Sequence, residues 1–155
     1  MIIMWKKFLI CLAIPLGVGG LSALVTSGNM QLFEEINKPP LSPPGWLFPV
    51  VWTILYILMG VALYLVIMAK ENKNNLTAYI SFGVQLFFNF FWSIIFFNAK
   101  AYLFAFVWLV LLWVAIVANL YFFNKANKTA GELLIPYLLW VTFAGYLNLG
   151  IYLLN

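Results

Sequence analysis

Apolar residues run along this chain in five blocks, residues 5–25, 47–69, 77–97, 101–123 and 133–154. Each is a long apolar run, so length is the signal. At ~1.5 Å rise per residue, about 20 residues reach roughly 30 Å, the thickness of a bilayer's hydrocarbon core. The pattern predicts an all-α integral membrane protein with five transmembrane helices. The first block follows Lys6 and Lys7 in the manner of a signal peptide, but its apolar run is long and no small-residue cleavage site follows. A retained helix is expected.

Polar positions fall between the blocks. Residues 70–76, 98–100 and 124–132 make short links, which predict antiparallel neighbours packed side by side. Residues 26–46 are different. A short helix over 30–36 is expected there, with Ser27 or Asn29 near its N-cap and Glu34 and Glu35 on its wet face. Prolines then take over at 39, 40, 43 and 44, each holding φ near −65° and pushing its predecessor towards extended backbone. Such a stiff segment is either ordinary loop punctuation or a rigid lid over the mouth of the bundle. Pro49 falls in the first turn of the second span, where a missing N–H costs little.

Composition narrows the function classes. Only 8% of residues are charged, against roughly 25% in soluble domains, and 155 residues make one membrane domain, 1–155. The net charge of +4 comes from lysines scattered singly or in pairs with no arginine, which argues against nucleic-acid binding. No histidine is present, and the single cysteine, Cys11, reads as a small buried hydrophobe, so neither a metal site nor a disulfide framework is expected. Apart from Lys6 and Lys7 at the start of the first span, no span carries a charge. That argues against proton pumps, ion-coupled carriers and voltage sensors, and against acid–base catalysis. Six lysines (Lys6, Lys7, Lys70, Lys73, Lys125, Lys128) fall on one side and two (Lys38, Lys100) on the other. The positive-inside rule therefore puts the N-terminus in the cytoplasm and the C-terminus and Pro-rich loop outside.

What the spans do contain is amides and aromatics. Gln85, Asn89, Trp92 and Phe96 lie within about 60° of one another on a helix, as one stripe. The two amides either orient a ligand or hydrogen-bond neighbouring helices, as such residues commonly do in bilayers. Trp52 and Tyr56 share a face at i, i+4. In the fifth span Pro136 precedes Trp140, then the small pair Ala144 and Gly145, then Asn148. Trp5 and Trp46 sit at span ends like interfacial anchors, while Trp108 and Trp113 face either lipid or ligand.

These residues also carry a resemblance. The run Lys38-Pro39-Pro40-Leu41-Ser42-Pro43-Pro44-Gly45-Trp46, continuing through Pro49, Trp52, Thr53, Tyr56, Met59 and Gly60, resembles the signature of the TspO/MBR family. That family comprises the tryptophan-rich sensory proteins and the translocator, or peripheral benzodiazepine receptor, proteins. Gln85 to Ser93 with Phe96 and Phe97 is similar to its third-helix motif. Pro136, Tyr137 and Trp140 with Phe143, Ala144, Leu147 and Asn148 are similar to its fifth.

The resemblance implies a five-helix bundle whose first loop caps a pocket for tetrapyrroles such as protoporphyrin IX, or for other apolar ligands. Trp52, Asn89, Trp140 and Ala144 are implied to line it, Phe33 and Pro44 to close it, with Phe90, Leu147 and Asn148 as second choices. It also implies sensing or transport, a homodimer through the third helix, and for some bacterial members light-dependent porphyrin breakdown involving residues matching Trp52 and Trp140. Ser81 and Gly83 would let third helices approach closely, and Gly17, Gly19 and Gly20 offer a competing surface. No cofactor is implied beyond the porphyrin as ligand or substrate. Without histidine, haem iron would depend on Met, Tyr or Cys11, so a metal-free porphyrin fits better, its propionates towards Lys38. The chain departs from the family at Leu41, where an aromatic is usual, and at Leu32-Phe33 in place of Trp-Tyr. No basic residue follows Tyr146 or Tyr152, so the cholesterol-recognition pattern is missing. The membrane expected is a bacterial plasma membrane.

The orientation is directly testable. With Cys11→Ala, a single Ser42→Cys is expected to react with a membrane-impermeant maleimide added to intact cells. Labelling only after lysis would reverse the topology.

Overall fold

A bilayer offers no partner for backbone N–H and C=O groups, so a chain this apolar must satisfy them within helices. The computed structural model describes residues 2–69 and 75–155, without the side chain of Leu32; the Lys70 and Lys73 expected on the second link lie outside the described residues. Helices α1 (Trp5–Thr26), α2 (Leu32–Glu35), α3 (Leu47–Ile67), α4 (Leu76–Ser93), α5 (Tyr102–Ala126), α6 (Lys128–Leu133) and α7 (Ile135–Leu154) follow in order, and no strand occurs among the described residues. With their flanking turns, α1, α3, α4, α5 and α7 are long and apolar enough to cross a membrane.

The five long helices form a ring. α1 packs on α3 and on α4, α4 on α5, and α5 on α7. The ring closes at the end away from the Pro-rich loop, where α6 lies against α3. Gly60 makes the α1–α3 contact possible, because a Cβ there would lie 2.7 Å from the Leu12 Cα. Such close backbone approach is how helices gain packing energy in lipid. At the other end α3 and α7 part, and the first loop sits over the gap.

The side-by-side packing expected across every short link fails for α3 and α4, whose backbones are not in close contact. They meet across the ring through long side chains instead, because α1 occupies the place beside both. The span ends differ as well. α4 gives way at Ser93 to a π-helical turn, Ile94–Asn98, which keeps Phe96 buried at 2% exposure. The link before the last span is itself α6, capped by Asn127, whose Oδ1 accepts from the Ala130 N–H at 3.0 Å. Pro136 lies in the first turn of α7, the N-terminal position rather than a kink.

The first loop is shorter in helix than expected, a single 3₁₀ turn over Ser27–Asn29 and then α2. Neither predicted cap serves it. The Ser27 hydroxyl donates back to the Leu24 carbonyl, and the Asn29 amide donates to Asn98 Oδ1 at 2.7 Å, tying the loop to the end of α4. Beyond α2 the chain is pinned to the end of α7. Asn37 N–H donates to Asn155 Oδ1 and Asn155 Nδ2 returns a bond to the Asn37 carbonyl at 2.8 Å, while Asn37 Nδ2 reaches the Leu154 carbonyl. Tyr146 adds a bond from its hydroxyl to the Pro40 carbonyl at 2.7 Å. The segment is thus fastened over the end of the bundle, in the position the lid reading expects.

Leu41 turns the lid back with φ of 70°, held by a bond from Ser42 Oγ to the Pro39 carbonyl. A side chain in this left-handed region costs about 1–2 kcal/mol, and Leu41, 85% exposed, recovers little of that by burial. Leu41→Gly is therefore expected to stabilise the protein by about 1 kcal/mol, and Leu41→Val to destabilise it, in thermal denaturation of the detergent-solubilised protein.

Candidate functional site

Where α3 and α7 separate beneath the lid, they enclose a cavity of about 440 Å³, within the usual range for small-molecule sites. α3 contributes Trp52 and Tyr56, α4 and its π turn contribute Trp92 and Phe96, and α7 contributes Trp140, Ala144, Leu147 and Asn148. Ser22 and Thr26 come from the end of α1, and Phe33, Glu34, Trp46 and Phe48 close the top. Aromatic contacts order these walls. Trp52 stacks on Tyr56 with centroids 5.7 Å apart, and Phe33 meets Phe48 edge-on at 4.9 Å, which in turn meets Trp140 at 5.8 Å. The lid and the α7 wall are thus one aromatic surface. Ala144, one turn beyond Trp140, keeps the space beside the indole open.

Beneath the wall runs a buried polar chain. Tyr56 hydroxyl donates to Asn89 Oδ1 at 2.8 Å, Asn89 Nδ2 donates to the Tyr137 hydroxyl at 2.8 Å, and that hydroxyl donates to Gln85 Oε1 at 2.6 Å. Gln85 Nε2 ends the chain on Met59 Sδ at 3.8 Å. Three helices are joined, and each amide in the chain has both its oxygen and its nitrogen occupied. Of the two readings of the α4 amides, hydrogen bonding to neighbouring helices is the one observed.

Six of the nine predicted site residues line the cavity: Phe33, Trp52, Trp140, Ala144, Leu147 and Asn148. The other three stand off its wall. Asn89 lies one side chain back, behind Tyr56, with its amide fully engaged. Phe90, next along the helix and so turned by about 100°, packs edge-on against Phe91. Pro44 is exposed on the outside of the lid turn. Asn148 reaches the cavity with its polar atoms committed, accepting from Trp92 Nε1 at 3.0 Å and donating to the Tyr102 carbonyl at 2.9 Å. Trp108 and Trp113 line none of it; their indole N–H groups donate to the Phe88 carbonyl and to Thr142 Oγ1. Trp5 and Trp46 are 62% and 68% exposed, as expected of span ends.

Sequence reasoning missed Tyr56 as a wall residue, although its i, i+4 relation to Trp52 was the signal for it. It also missed the polar wall of α1, and Glu34, exposed as expected, lines the cavity as well. Lys38 is diverted: its Nζ donates to the Phe33 carbonyl at 2.6 Å and lies 4.8 Å from that ring's centroid. The indole N–H groups of Trp52 and Trp140 donate to no described residue, and that of Trp140 is fully buried.

A family model described as the TspO/MBR family matches residues 11–154. Over 148 residues the chain is 40% identical to a tryptophan-rich protein TspO of Chlorobaculum tepidum, covering 94% of each chain. It is 33% identical over 155 residues to a tryptophan-rich sensory protein of Cereibacter sphaeroides, covering 97% of this chain and 92% of that one. It is 32% identical over 135 residues to a translocator protein of Bos taurus, covering 84% and 79% respectively.

Tyr137 is the centre of the polar chain, so Tyr137→Phe leaves the Asn89 Nδ2 and Gln85 Oε1 groups without their partner. A loss of about 2–4 kcal/mol is expected in denaturation of the detergent-solubilised protein. Loss below about 0.5 kcal/mol would mean the chain contributes little to stability.

Proposed function

Because the chain belongs to the TspO/MBR family, we propose that it binds a tetrapyrrole such as protoporphyrin IX, or another flat apolar molecule, and acts as its sensor or transporter. The observation that carries this reading is a pair of indoles, Trp52 and Trp140, on the wall of one cavity. Flat faces stack on such indoles and bury apolar area. The cavity's Met30 and Tyr56 are poor substitutes for an axial histidine, which favours a metal-free macrocycle over haem.

The lysine asymmetry supports a cytoplasmic N-terminus, with the lid on the outer face of a bacterial plasma membrane. A homodimer through α4 belongs to the same reading; Gly83 on that helix has open space beside it, whereas Ser81 is buried and bonded to Asn119. Gly17 and Gly20 on α1 offer equally open positions, while Gly19 is filled by the Tyr56 ring.

A second reading, light-driven breakdown of the bound porphyrin, is favoured by the same two indoles, since Trp52 is also stacked on Tyr56. The macrocycle would absorb the photon, and no acid–base residue is required.

Titration of the purified protein with protoporphyrin IX is expected to quench tryptophan fluorescence saturably. Binding should weaken roughly tenfold in the Trp52→Phe/Trp140→Phe double variant. An unchanged titration in that variant would count against the cavity. Under illumination, porphyrin absorption decaying no faster in the complex than in detergent alone would leave the binding role only.

A further inference from the structure

The cavity has a polarity that its aromatic walls conceal. Among the residues lining it, the one charged group is the carboxylate of Glu34, at the lid. No ion pair engages Glu34 among the described residues. The nearest cation in sequence, Lys38, spends a donor on the Phe33 carbonyl and lies over the Phe33 ring outside the cavity wall. The Glu34 carboxylate is instead packed against Gly45, where a Cβ would lie 2.5 Å from its Oε1. The absence of a side chain at 45 is what lets the carboxylate occupy the mouth. On the same wall, the Trp52 indole N–H donates to no described residue.

From this we infer that Glu34 is a specificity determinant acting on charge. The cavity selects flat aromatic ligands whose lid-facing edge is cationic or a hydrogen-bond donor. Ligands that present carboxylates to the lid are disfavoured. The inference rests on the cavity being a ligand site, as proposed above, and it narrows the ligand class. For a porphyrin, it means that a propionate edge meets a like charge unless it is esterified. The magnitude is modest because Glu34 is exposed and water screens it. Two charges about 5 Å apart at such a boundary exchange enough energy for a three- to tenfold change in affinity at low salt. The effect shrinks as salt is raised.

Two ligand pairs test this on the full chain in detergent at low ionic strength, read by tryptophan quenching. One is protoporphyrin IX with its dimethyl ester; the other is 1-pyrenecarboxylate with 1-pyrenemethylamine. For each pair the ratio of the two Kd values is compared between wild type and Glu34→Gln, so that differences in detergent partitioning cancel. The wild-type ratio is expected to favour the ester and the amine by about three- to tenfold more than the Glu34→Gln ratio does. Gly45→Ala, which forces the carboxylate out of the mouth, is expected to shift the ratios in the same direction. Pyrene selectivity that depends on Glu34, with no porphyrin binding, would overturn the tetrapyrrole reading and support the charge filter. Equal ratios in wild type and Glu34→Gln, with ligands bound, would overturn the charge filter and leave the tetrapyrrole reading standing. Failure of all four ligands to bind would overturn both.

Discussion

In a bilayer the lipid tails are as apolar as leucine, so hydrophobic contact does not tell one helix which neighbour to choose. The chain from Tyr56 through Asn89 and Tyr137 to Gln85 supplies that choice here. Each bond is worth only about 0.6–1.7 kcal/mol in such surroundings. Yet each is made by a group that finds no water if it lets go, so the bonds lock together. The cavity hangs from this lock because Tyr56 belongs to both. Its hydroxyl enters the polar chain, and its ring carries Trp52. Trp52 also leans edge-on against Tyr137 at 6.2 Å, so the cavity wall and the polar chain share their residues.

The five spans were legible because bilayer thickness imposes a length that composition alone can meet. What blurred were their ends at the lid and before the last helix. There the π turn at Ile94–Asn98 and the separate α6 depend on tertiary partners such as Asn29 and Asn127 rather than on apolar run length. The aromatic half of the site was legible in the same way, through Trp52, Trp140 and the small residue Ala144. Its polar half was not. A buried amide such as Asn89 reads identically in sequence whether it meets a ligand or a neighbouring tyrosine, and only the ring order of helices decides. That order, with α3 and α4 facing across the bundle, is invisible to link length. Glu34 is exposed, as its place on the short helix implied, but its position at the cavity mouth beside Gly45 depends on the fold of the loop.

Two features hold the lid in place. Prolines restrict its backbone, and side chains then fasten the restricted segment to α7 through the Asn37–Asn155 exchange and Tyr146. Leu41 sits at the left-handed turn of that segment, exposed on the outside of the lid rather than on the cavity wall.

The ring order has a consequence for how the molecule comes into being. α1 and α3 form one closely packed pair through Gly60, and α4, α5 and α7 form another group with its own contacts. The seam between the two groups is where the polar chain and the cavity both lie. Insertion into the membrane requires only that each helix be apolar and long enough, whereas the cavity comes into existence when the groups dock. Threading through the bilayer thus places no constraint on the cavity, which exists only where the two groups meet.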